Sequence, residues 1–329
     1  MNPPLIQRIA ETPNLMSAYR KARLGKSTKP DQQAYSRSLR DNLRVLQSEI
    51  RSMTWMPGPL REFTIYEPKE RLIAAAPFRD RVMHHALMNI LEPILEKRQI
   101  SHSYACRKGK GNHACVKQAY NNQRHYPWVL KMDIRKYFPS IDLGILKSQL
   151  RKIIWDPSVL VLLDRILDAH GVHQKNLPIG NLTSQHLANL YLSHLDHFVL
   201  QHLRPKAYVR YMDDFVLWGE SQAQVKDWHL QIPQWLEREL SLSVKTQATE
   251  CVPVIRGISF LGYQIYPAQI RLNQRSCLRL RSYARSWAWQ IREGVESVNL
   301  SRQMDSVVGW ISQAHSFHFR EGVLLKHCS

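Results

Sequence analysis

Hydrophobic side chains recur every three or four residues along several long segments of the chain, a spacing that predicts helices with one buried face. Helical spacing covers residues 15 to 51, with a polar, basic loop at residues 25 to 31 inside this region, and residues 78 to 97, 143 to 168 and 184 to 203. Asp156-Pro157 should interrupt the third helix, and Pro93 should end or kink the second, because proline lacks the amide hydrogen that a helix interior requires. Thr183 or Ser184 is the predicted cap of the fourth helix.

Shorter segments rich in β-branched and aromatic residues predict strands. Residues 63 to 74 predict a hairpin with its turn at Pro68, and residues 207 to 218 predict a second hairpin with an acidic turn. Residues 128 to 133 form a further apolar, strand-like segment. Helical segments combined with antiparallel hairpins favour the α+β fold class.

The chain is strongly basic. Its 329 residues include 46 Lys and Arg against 27 Asp and Glu, which gives a formal net charge of +19. A polyanionic partner is the simplest physical reason for this imbalance, because each neutralised phosphate releases counterions and strengthens association. No basic amphipathic segment stands out, so nucleic acid is favoured over an anionic membrane surface as the partner.

The cellular location is predicted from what the sequence pattern lacks. The N-terminal residues do not have the charged and apolar regions of a secretory signal, and no uninterrupted apolar stretch reaches the roughly 18 residues that span a bilayer. We therefore expect a cytoplasmic protein that does not bind membranes. The five cysteines are scattered, which argues against a disulfide framework and against a zinc site.

Three carboxylates lie in or at the end of apolar segments. Asp213 and Asp214 have apolar neighbours on both sides, and Asp133 ends another such segment. Buried carboxylates are costly unless a cation compensates them, and a strand, a helical excursion and a returning hairpin would bring all three together. Such a cluster suits two Mg²⁺ ions, with Mn²⁺ as a substitute. The alternatives are an ordinary acidic hairpin turn and, for Asp133, a strand end exposed to water.

Basic residues concentrate in segments that we expect to be exposed. Lys69 and Arg71 fall near the tip of the first hairpin, where they would either meet phosphate or simply face solvent. Arg107 lies in a glycine-rich basic loop, residues 103 to 113, which lacks the spacing of a P-loop. From residue 273 onward Arg is interleaved with Trp, which suits either a nucleic-acid backbone or an ordinary amphipathic helix.

The acidic motifs point to a known family. Tyr211-Met-Asp-Asp214 resembles the signature of reverse transcriptases, and Asp133 with Phe138 matches their first palm motif. Further segments agree with that family in their order along the chain: residues 66 to 73 with the fingers hairpin, 79 to 87 with the helix after it, 103 to 107 with the next fingers segment, 242 to 246 with the fourth palm motif, and 260 to 263 with the primer grip. The resemblance covers roughly residues 60 to 265.

This resemblance implies a right-hand polymerase fold with fingers, an antiparallel-sheet palm and a short helical thumb. It also implies a division of the chain into parts. These are the fingers at residues 1 to 125, the first palm strand at 126 to 142, a helical insertion at 143 to 177, the rest of the palm at 178 to 264, and the thumb at 265 to 329.

The resemblance also assigns roles to individual residues. Catalysis falls to Asp133, Asp213, Asp214 and Lys245, and metal binding to Asp133, Ile134, Asp213 and, less directly, Asp214. Nucleotide binding falls to Lys69, Arg71, Arg107, Ile134, Phe138, Ile179, Gly180 and Gln185, and the primer grip to Phe260, Leu261, Gly262 and Tyr263. Lys245 would protonate or neutralise the departing pyrophosphate. Phe138 would exclude a 2′-hydroxyl, although a core aromatic side chain is the competing interpretation.

One motif departs from most members of the family. Most carry Gln-Gly and then Ser-Pro before the long palm helix, whereas this chain has Ile179-Gly180 and then Ser184-Gln185, which is similar to the reverse transcriptases of diversity-generating retroelements. That similarity implies error-prone copying of a template-repeat RNA, chiefly opposite adenine, and a pentameric accessory variability protein. It further implies a DNA or RNA primer, deoxynucleoside triphosphates and a cDNA product. Ser184 and Gln185 have an alternative role as the cap and first turn of the helix.

Two other functions stay open at this point. One is a reverse transcriptase that copies a dedicated non-coding RNA in phage defence, which neighbouring genes would distinguish. The other is an RNA-binding protein that keeps the polymerase fold without turnover, and the presence of all three acids argues against it.

Overall fold

The computed structural model describes residues 3 to 26, 28 to 66, 70 to 169, 175 to 294, 298 to 315, 317, 319 and 321 to 323. Helices make up most of this part of the chain. They are α1 Leu5–Ile9, α2 Thr12–Arg23, α3 Pro30–Arg37, α4 Leu39–Arg51, α5 Phe78–Glu96, α6 Asn112–Gln123, α7 Tyr137–Ser140, α8 Leu143–Arg151, α9 Pro157–Asp168, α10 Leu182–Tyr191, α11 Ser193–Phe198, α12 Gln222–Leu240, α13 Gln274–Arg292 and α14 Val298–Ile311. A π-helical turn covers Val199–Leu203, and 3₁₀ turns cover Thr246–Ala248 and Val254–Arg256.

The strands form three antiparallel sheets. They are β1 Arg61–Ile65, β2 Arg71–Ala75, β3 Trp128–Asp133, β4 Ala207–Tyr211, β5 Asp214–Gly219, β6 Glu250–Pro253, β7 Ile258–Phe260, β8 Tyr263–Ile265 and β9 Ile270–Leu272. One sheet is the hairpin β1-β2, the second has the order β4-β5-β3-β6, and the third has the order β7-β8-β9. The two predicted hairpins and the α+β composition are thus observed, while Pro68, the predicted turn of the first hairpin, lies outside the described residues.

The chain forms two compact units. The first unit comprises Met1–Ser101, Ile134–Phe198 and Pro233–Ser243, and the second comprises His102–Asp133, Val199–Ile232 and Val244–Ser329. The boundary between Asp133 and Ile134 falls inside the segment that resembles the first palm motif, residues 133 to 138. The division into fingers, palm and thumb groups the residues differently and stays a prediction.

In the first unit, α5 is the central helix, and its predicted extent is almost that observed. Pro93 does not end this helix, because α5 continues to Glu96 with Pro93 inside it. The alternative, a kink at Pro93, stays a prediction. Leu91 and Leu95, on either side of the proline, are buried. Burying two such side chains contributes about 3 to 6 kcal/mol, which offsets the roughly 3 kcal/mol cost of an internal proline.

The break predicted at Asp156-Pro157 is observed between α8 and α9. The Asp156 carboxylate caps α9, since Oδ1 accepts hydrogen bonds from the backbone amides of Ser158 at 3.0 Å and Val159 at 3.4 Å. Pro157 occupies the first turn, where its missing amide hydrogen costs nothing. Side-chain capping and a proline at the helix start therefore explain this boundary.

The cap of α10 differs from the prediction. Asn181, rather than Thr183 or Ser184, is the N-cap residue, and the latter two are buried inside the helix. The Asn181 side chain instead bonds to β2: Nδ2 donates to the Ala74 carbonyl at 3.1 Å, and Oδ1 accepts from the Ala76 amide at 3.1 Å. The prediction failed because the hydrogen-bond partners of Asn181 come from a strand more than 100 residues earlier.

The residues just before α10 lie against the same strand. The Ala74 amide donates to the Ile179 carbonyl at 2.8 Å. Gly180 has φ +117°, and a Cβ atom on this residue would be 2.8 Å from Ile73 Cγ2. Glycine at position 180 is therefore required both by its backbone conformation and by the close approach of β2.

In the second unit, the sheet β4-β5-β3-β6 packs into an apolar core. Val209, Val216 and Trp218 from this sheet share that core with Phe260 and Tyr263 of the third sheet. The Trp218 indole donates a hydrogen bond to Gln123 Oε1 at 2.9 Å, which attaches α6 to the sheet. A buried sheet therefore supports the acidic hairpin.

The described residues include no helix that is both long enough and apolar enough to cross a bilayer.

A Gly180→Ala substitution should lower the free energy of unfolding by about 2 to 4 kcal/mol. The added methyl group would clash with Ile73, and an L-residue is strained at this positive φ. Gly25→Ala is the matched control, since Gly25 has φ +67° but no atom within 4 Å of an added Cβ, and should cost only about 1 to 2 kcal/mol. Urea unfolding curves would measure both, and equal losses would contradict the packing argument.

Candidate active site

The register of two neighbouring strands brings two of the predicted carboxylates together. Asp133 ends β3, Asp214 begins β5, and the two residues are directly opposite in the antiparallel pair. Opposed residues in such a pair project from the same face with their Cβ atoms about 5 Å apart. Asp133 and Asp214 therefore lie side by side at one end of the sheet.

The third carboxylate lies in the turn between β4 and β5. Tyr211 pairs with Asp214, which leaves Met212 and Asp213 as a two-residue turn. Met212 has φ +55°, in the left-handed region. The fully buried Arg210 supports this turn, because its Nη1 donates to the Met212 carbonyl at 3.0 Å. The tight turn breaks the strand alternation and allows consecutive acids to share one neighbourhood.

The pKa of Asp214 is raised by its burial and by the two carboxylates beside it. Burial raises the pKa of this carboxyl to about 7; the Lys131 ammonium opposes the rise, and the negative charges of Asp133 and Asp213 add to it. Among the described residues, Asp214 Oδ1 accepts no hydrogen bond, although Lys131 Nζ lies 3.5 Å away. The side chain of Asp214 is only 22% exposed. An unsatisfied, partly desolvated carboxylate beside two others is a site that attracts cations.

The carboxylates fit a hard divalent cation in their chemistry. Oxygen ligands from several carboxylates are what Mg²⁺ and similar ions bind. Within the described ranges, however, no three His, Cys, Asp or Glu side chains converge closely enough to form a ready-made metal site. The Lys131 ammonium, rather than a carboxylate, is the group that approaches Asp214 Oδ1.

Lys245 is attached to the acidic site through its backbone. Its amide donates a 2.7 Å hydrogen bond to the carbonyl of Asp133. The side chain of Lys245 is half-buried. This hydrogen bond holds the backbone of Lys245 next to Asp133.

The family of the chain follows from a comparison with known proteins. The family described as "Reverse transcriptase (RNA-dependent DNA polymerase)" matches residues 66–265, which is more than half of the chain. The chain belongs to the reverse transcriptase family. By class it is an RNA-directed DNA polymerase.

Relatives of this reverse transcriptase share different fractions of its length. It is 24% identical over 307 residues to "Protein YkfC" of Escherichia coli, covering 76% of this chain and 80% of that protein. It is 29% identical over 170 residues to "Group II intron-encoded protein LtrA" of Lactococcus lactis, covering 48% of this chain and 28% of LtrA. The chain thus spans less than a third of LtrA.

The fold is confirmed by a solved structure. Telomerase from Candida albicans, in complex with a fragment of telomeric RNA, superposes with a TM-score of 0.53 at 11% identity, over 84% of this chain and 62% of that one. Similarity at this level concerns the fold alone. The predicted right-hand polymerase fold is therefore the fold of this reverse transcriptase.

The predicted primer grip is a tight hairpin turn between β7 and β8. Phe260 and Tyr263 are fully buried in the core, and the Tyr263 hydroxyl donates to the Trp310 carbonyl at 2.7 Å. Leu261 and Gly262 form the turn, with φ +49° and +93°. Two of the four residues therefore hold the hairpin in place, and the turn is the part that is partly exposed.

Arg107 lies in a loop that is bonded to β4. The amide of Tyr104 donates to the Arg210 carbonyl, and the amide of Arg210 donates to the His102 carbonyl, each at 2.9 Å. Arg107 Nη1 donates to the Ser103 carbonyl at 2.6 Å. The loop thus continues the hydrogen-bonding pattern of the sheet that carries the acidic turn.

The other predicted nucleotide-binding residues belong to the first unit, whereas the carboxylates belong to the second. Arg71 is exposed at the start of β2, and Ile134 is buried. Phe138 is half-buried, with its ring edge-on to that of Tyr137 at 5.6 Å between centroids. Gln185 is exposed on α10. Their roles toward a nucleotide stay predictions.

Ile179 and Lys69 are the remaining residues with predicted roles. Ile179 is half-buried, and its backbone bonds to β2 as described above. Lys69 lies outside the described residues.

A cavity of about 180 Å³ in the first unit is lined by Arg98, Gln149, Lys152, Ile153, Leu190, Ser193, His194 and His197, none of which was predicted to take part in catalysis.

Sequence reasoning missed two residues that shape the acidic site, Lys131 and Arg210. Lys131 precedes Asp133 by two residues on the same strand, so the alternation of strand side chains already placed both on one face. Arg210 lies in the apolar strand just before the acidic turn. A cation inside an apolar strand next to an acidic motif was the available signal in both cases.

An Asp214→Asn substitution should stabilise the metal-free protein at pH 8. The carboxyl has a pKa of about 7 when folded and about 4 when unfolded, so its ionisation destabilises the fold increasingly as the pH rises between those values. The gain in unfolding free energy should be about 2 kcal/mol larger at pH 8 than at pH 5.5. Urea unfolding in EDTA at both values measures it, and a loss of stability at both would contradict the electrostatic account.

Proposed function

We propose that this reverse transcriptase synthesises cDNA from an RNA template by nucleotidyl transfer at Asp133, Asp213 and Asp214, with two Mg²⁺ ions and with Mn²⁺ as a substitute. The observation that carries this proposal is the opposed pair of Asp133 and Asp214 beside Asp213 at the end of a buried sheet. Three neighbouring carboxylates repel one another and lower the stability of the fold. Such clusters occur mainly at functional sites, so their juxtaposition favours a catalytic role.

The chain's own residues divide the work of the reaction. Bound Mg²⁺ supplies charge neutralisation and Lewis acidity for the primer hydroxyl and the departing pyrophosphate. Asp133 and Asp213 bind and orient the cations, and Asp214 contributes negative charge beside them. Lys245, attached to Asp133 through its backbone, protonates or neutralises the pyrophosphate.

Substrate recognition falls to the remaining predicted residues. Arg71, together with Lys69 and Arg107, holds the phosphates by charge-assisted hydrogen bonds. The ring of Phe138 packs against the sugar, where it leaves no room for a 2′-hydroxyl. The template RNA and the primer contact a chain whose net charge of +19 favours long polyanions.

The subtype proposed is that of diversity-generating retroelements, whose cDNA is mutagenic opposite adenine and whose enzyme uses a pentameric accessory variability protein. Ile179-Gly180 and Ser184-Gln185 support this assignment. Ile179 presents an apolar side chain where most relatives carry an amide, and the loss of one hydrogen bond near the nascent pair weakens base discrimination by about 1 to 3 kcal/mol. A cytoplasmic location stays a prediction.

An Asp213→Ala substitution should abolish Mg²⁺-dependent incorporation of deoxynucleotides on primed RNA, by at least about a thousandfold, because a cation ligand is removed. Asp227→Ala is the control, since Asp227 is an exposed acid on α12 that bonds to Gln231. The control should retain full activity. Incorporation that survives Asp213→Ala would refute the mechanism.

An Ile179→Gln substitution should lower misincorporation opposite adenine by about 5- to 100-fold, because the amide restores a hydrogen bond at that position. Ile179→Leu is the matched control and should keep the error rate of the parent enzyme. Sequencing of the cDNA, made with the accessory protein and the template RNA present, measures both. An unchanged adenine error rate in Ile179→Gln would count against position 179 as a determinant of fidelity.

A further inference from the structure

Lys131 is a buried cation within the acidic site. It lies on β3 with only 6% of its surface exposed, directly opposite Glu250 of β6. Because strand side chains alternate, Lys131 shares its face of the sheet with Asp133, and therefore with Asp214. One ammonium group thus lies between the catalytic carboxylates on one side and an additional carboxylate on the other.

The ammonium group is shared among three acceptors rather than bound closely to one. Lys131 Nζ is 3.4 Å from the Ala248 carbonyl, 3.5 Å from Asp214 Oδ1 and 4.0 Å from Glu250 Oε1. Ordinary charge-assisted hydrogen bonds are about 2.7 to 2.9 Å long. All three contacts are therefore loose, and small rotations of the flexible lysine side chain shift it from one acceptor to another.

Glu250 has its own attachment within the second unit. Its Oε1 accepts a hydrogen bond from the Ser259 amide at 3.4 Å, and its side chain is 31% exposed. This carboxylate offers the ammonium a second anionic partner on the side away from Asp214. A lysine with anions on both sides is able to leave one of them without becoming an isolated buried charge.

We propose that Lys131 is a positioning residue that neutralises Asp214 in the metal-free enzyme and moves to Glu250 and the Ala248 carbonyl when a divalent cation occupies the carboxylates. This inference rests on the proposed function. Without the ammonium, Asp214 would face Asp133 and Asp213 uncompensated. With a divalent cation present, the ammonium becomes a like charge at close range and is driven toward its other partners.

The position of Lys131 affects whether the metal binds before the nucleotide or together with it. An internal cation competes with Mg²⁺ for Asp214 and lowers the affinity of the empty enzyme for metal. Nucleotide phosphates provide additional oxygen ligands for Mg²⁺. Lys131 therefore favours joint binding of metal and nucleotide over loading of metal alone.

Titration of the full chain with Mn²⁺ in the absence of nucleotide, followed by electron paramagnetic resonance, tests the proposal. Lys131→Met should bind Mn²⁺ about tenfold more tightly than the parent chain, which corresponds to about 1.4 kcal/mol. Its midpoint of thermal unfolding should fall in EDTA and recover in saturating Mn²⁺. Glu250→Gln should bind Mn²⁺ more weakly, because the ammonium loses its second anion and stays on Asp214.

The double variant Lys131→Met, Glu250→Gln distinguishes a mobile lysine from simple long-range electrostatics. If Glu250 acts through Lys131, the double variant should bind Mn²⁺ as tightly as Lys131→Met alone. Additive effects would overturn the proposal, and so would unchanged Mn²⁺ affinity in Lys131→Met. Lys226→Met, which removes an exposed cation on α12, should leave the affinity unchanged.

Different results would contradict the proposed function and the proposed role of Lys131. Mn²⁺ binding that persists undiminished in Asp213→Ala would contradict the proposed function, because the cation would then bind elsewhere. Binding that requires Asp213 but does not respond to Lys131→Met would contradict the role of Lys131 alone. A circular dichroism spectrum of each variant verifies that it is folded before the titration.

Discussion

The antiparallel register between β3 and β5 is the constraint on which the acidic site depends. It sets Asp133 opposite Asp214, and a slip of one residue would turn one of them to the other face of the sheet. Packing on both faces of β5 specifies this register, because Phe215 and Leu217 on one face and Val216 and Trp218 on the other are all fully buried, and the same slip would exchange the two sets. The packing of the core therefore also determines that Asp133 and Asp214 lie side by side.

That arrangement carries an electrostatic cost, which the surrounding residues reduce without removing. Burial and the neighbouring carboxylates raise the pKa of Asp214, while Lys131 opposes the rise. Arg210 holds the turn through the Met212 carbonyl. The cluster therefore lowers the stability of the fold at pH values where Asp214 is ionised.

The residues with predicted roles are distributed over the two compact units. The carboxylates lie in the second unit, and the residues predicted to contact the nucleotide, such as Phe138 and Gly180, lie in the first. The chain passes from one unit to the other immediately after Asp133. In the first unit, the segment around Gly180 is fixed against β2, so the residues that suggest the mutagenic subtype are held by the hairpin that carries Arg71.

The sequence by itself determined α5, the break before α9, the two hairpins, the family and the basic character, because these depend on local periodicity, turn chemistry and ordered motifs. It did not predict α6 or α12, and the helix predicted at residues 184 to 203 is divided into α10, α11 and a π-helical turn. Only the tertiary structure decided that Asp214 opposes Asp133, that Asn181 bonds to β2, and that α5 continues through Pro93. It also decided that Phe260 and Tyr263 are core residues and that Lys131 lies among the acids. These features depend on strand register and on contacts between residues far apart in the chain, which local patterns do not encode.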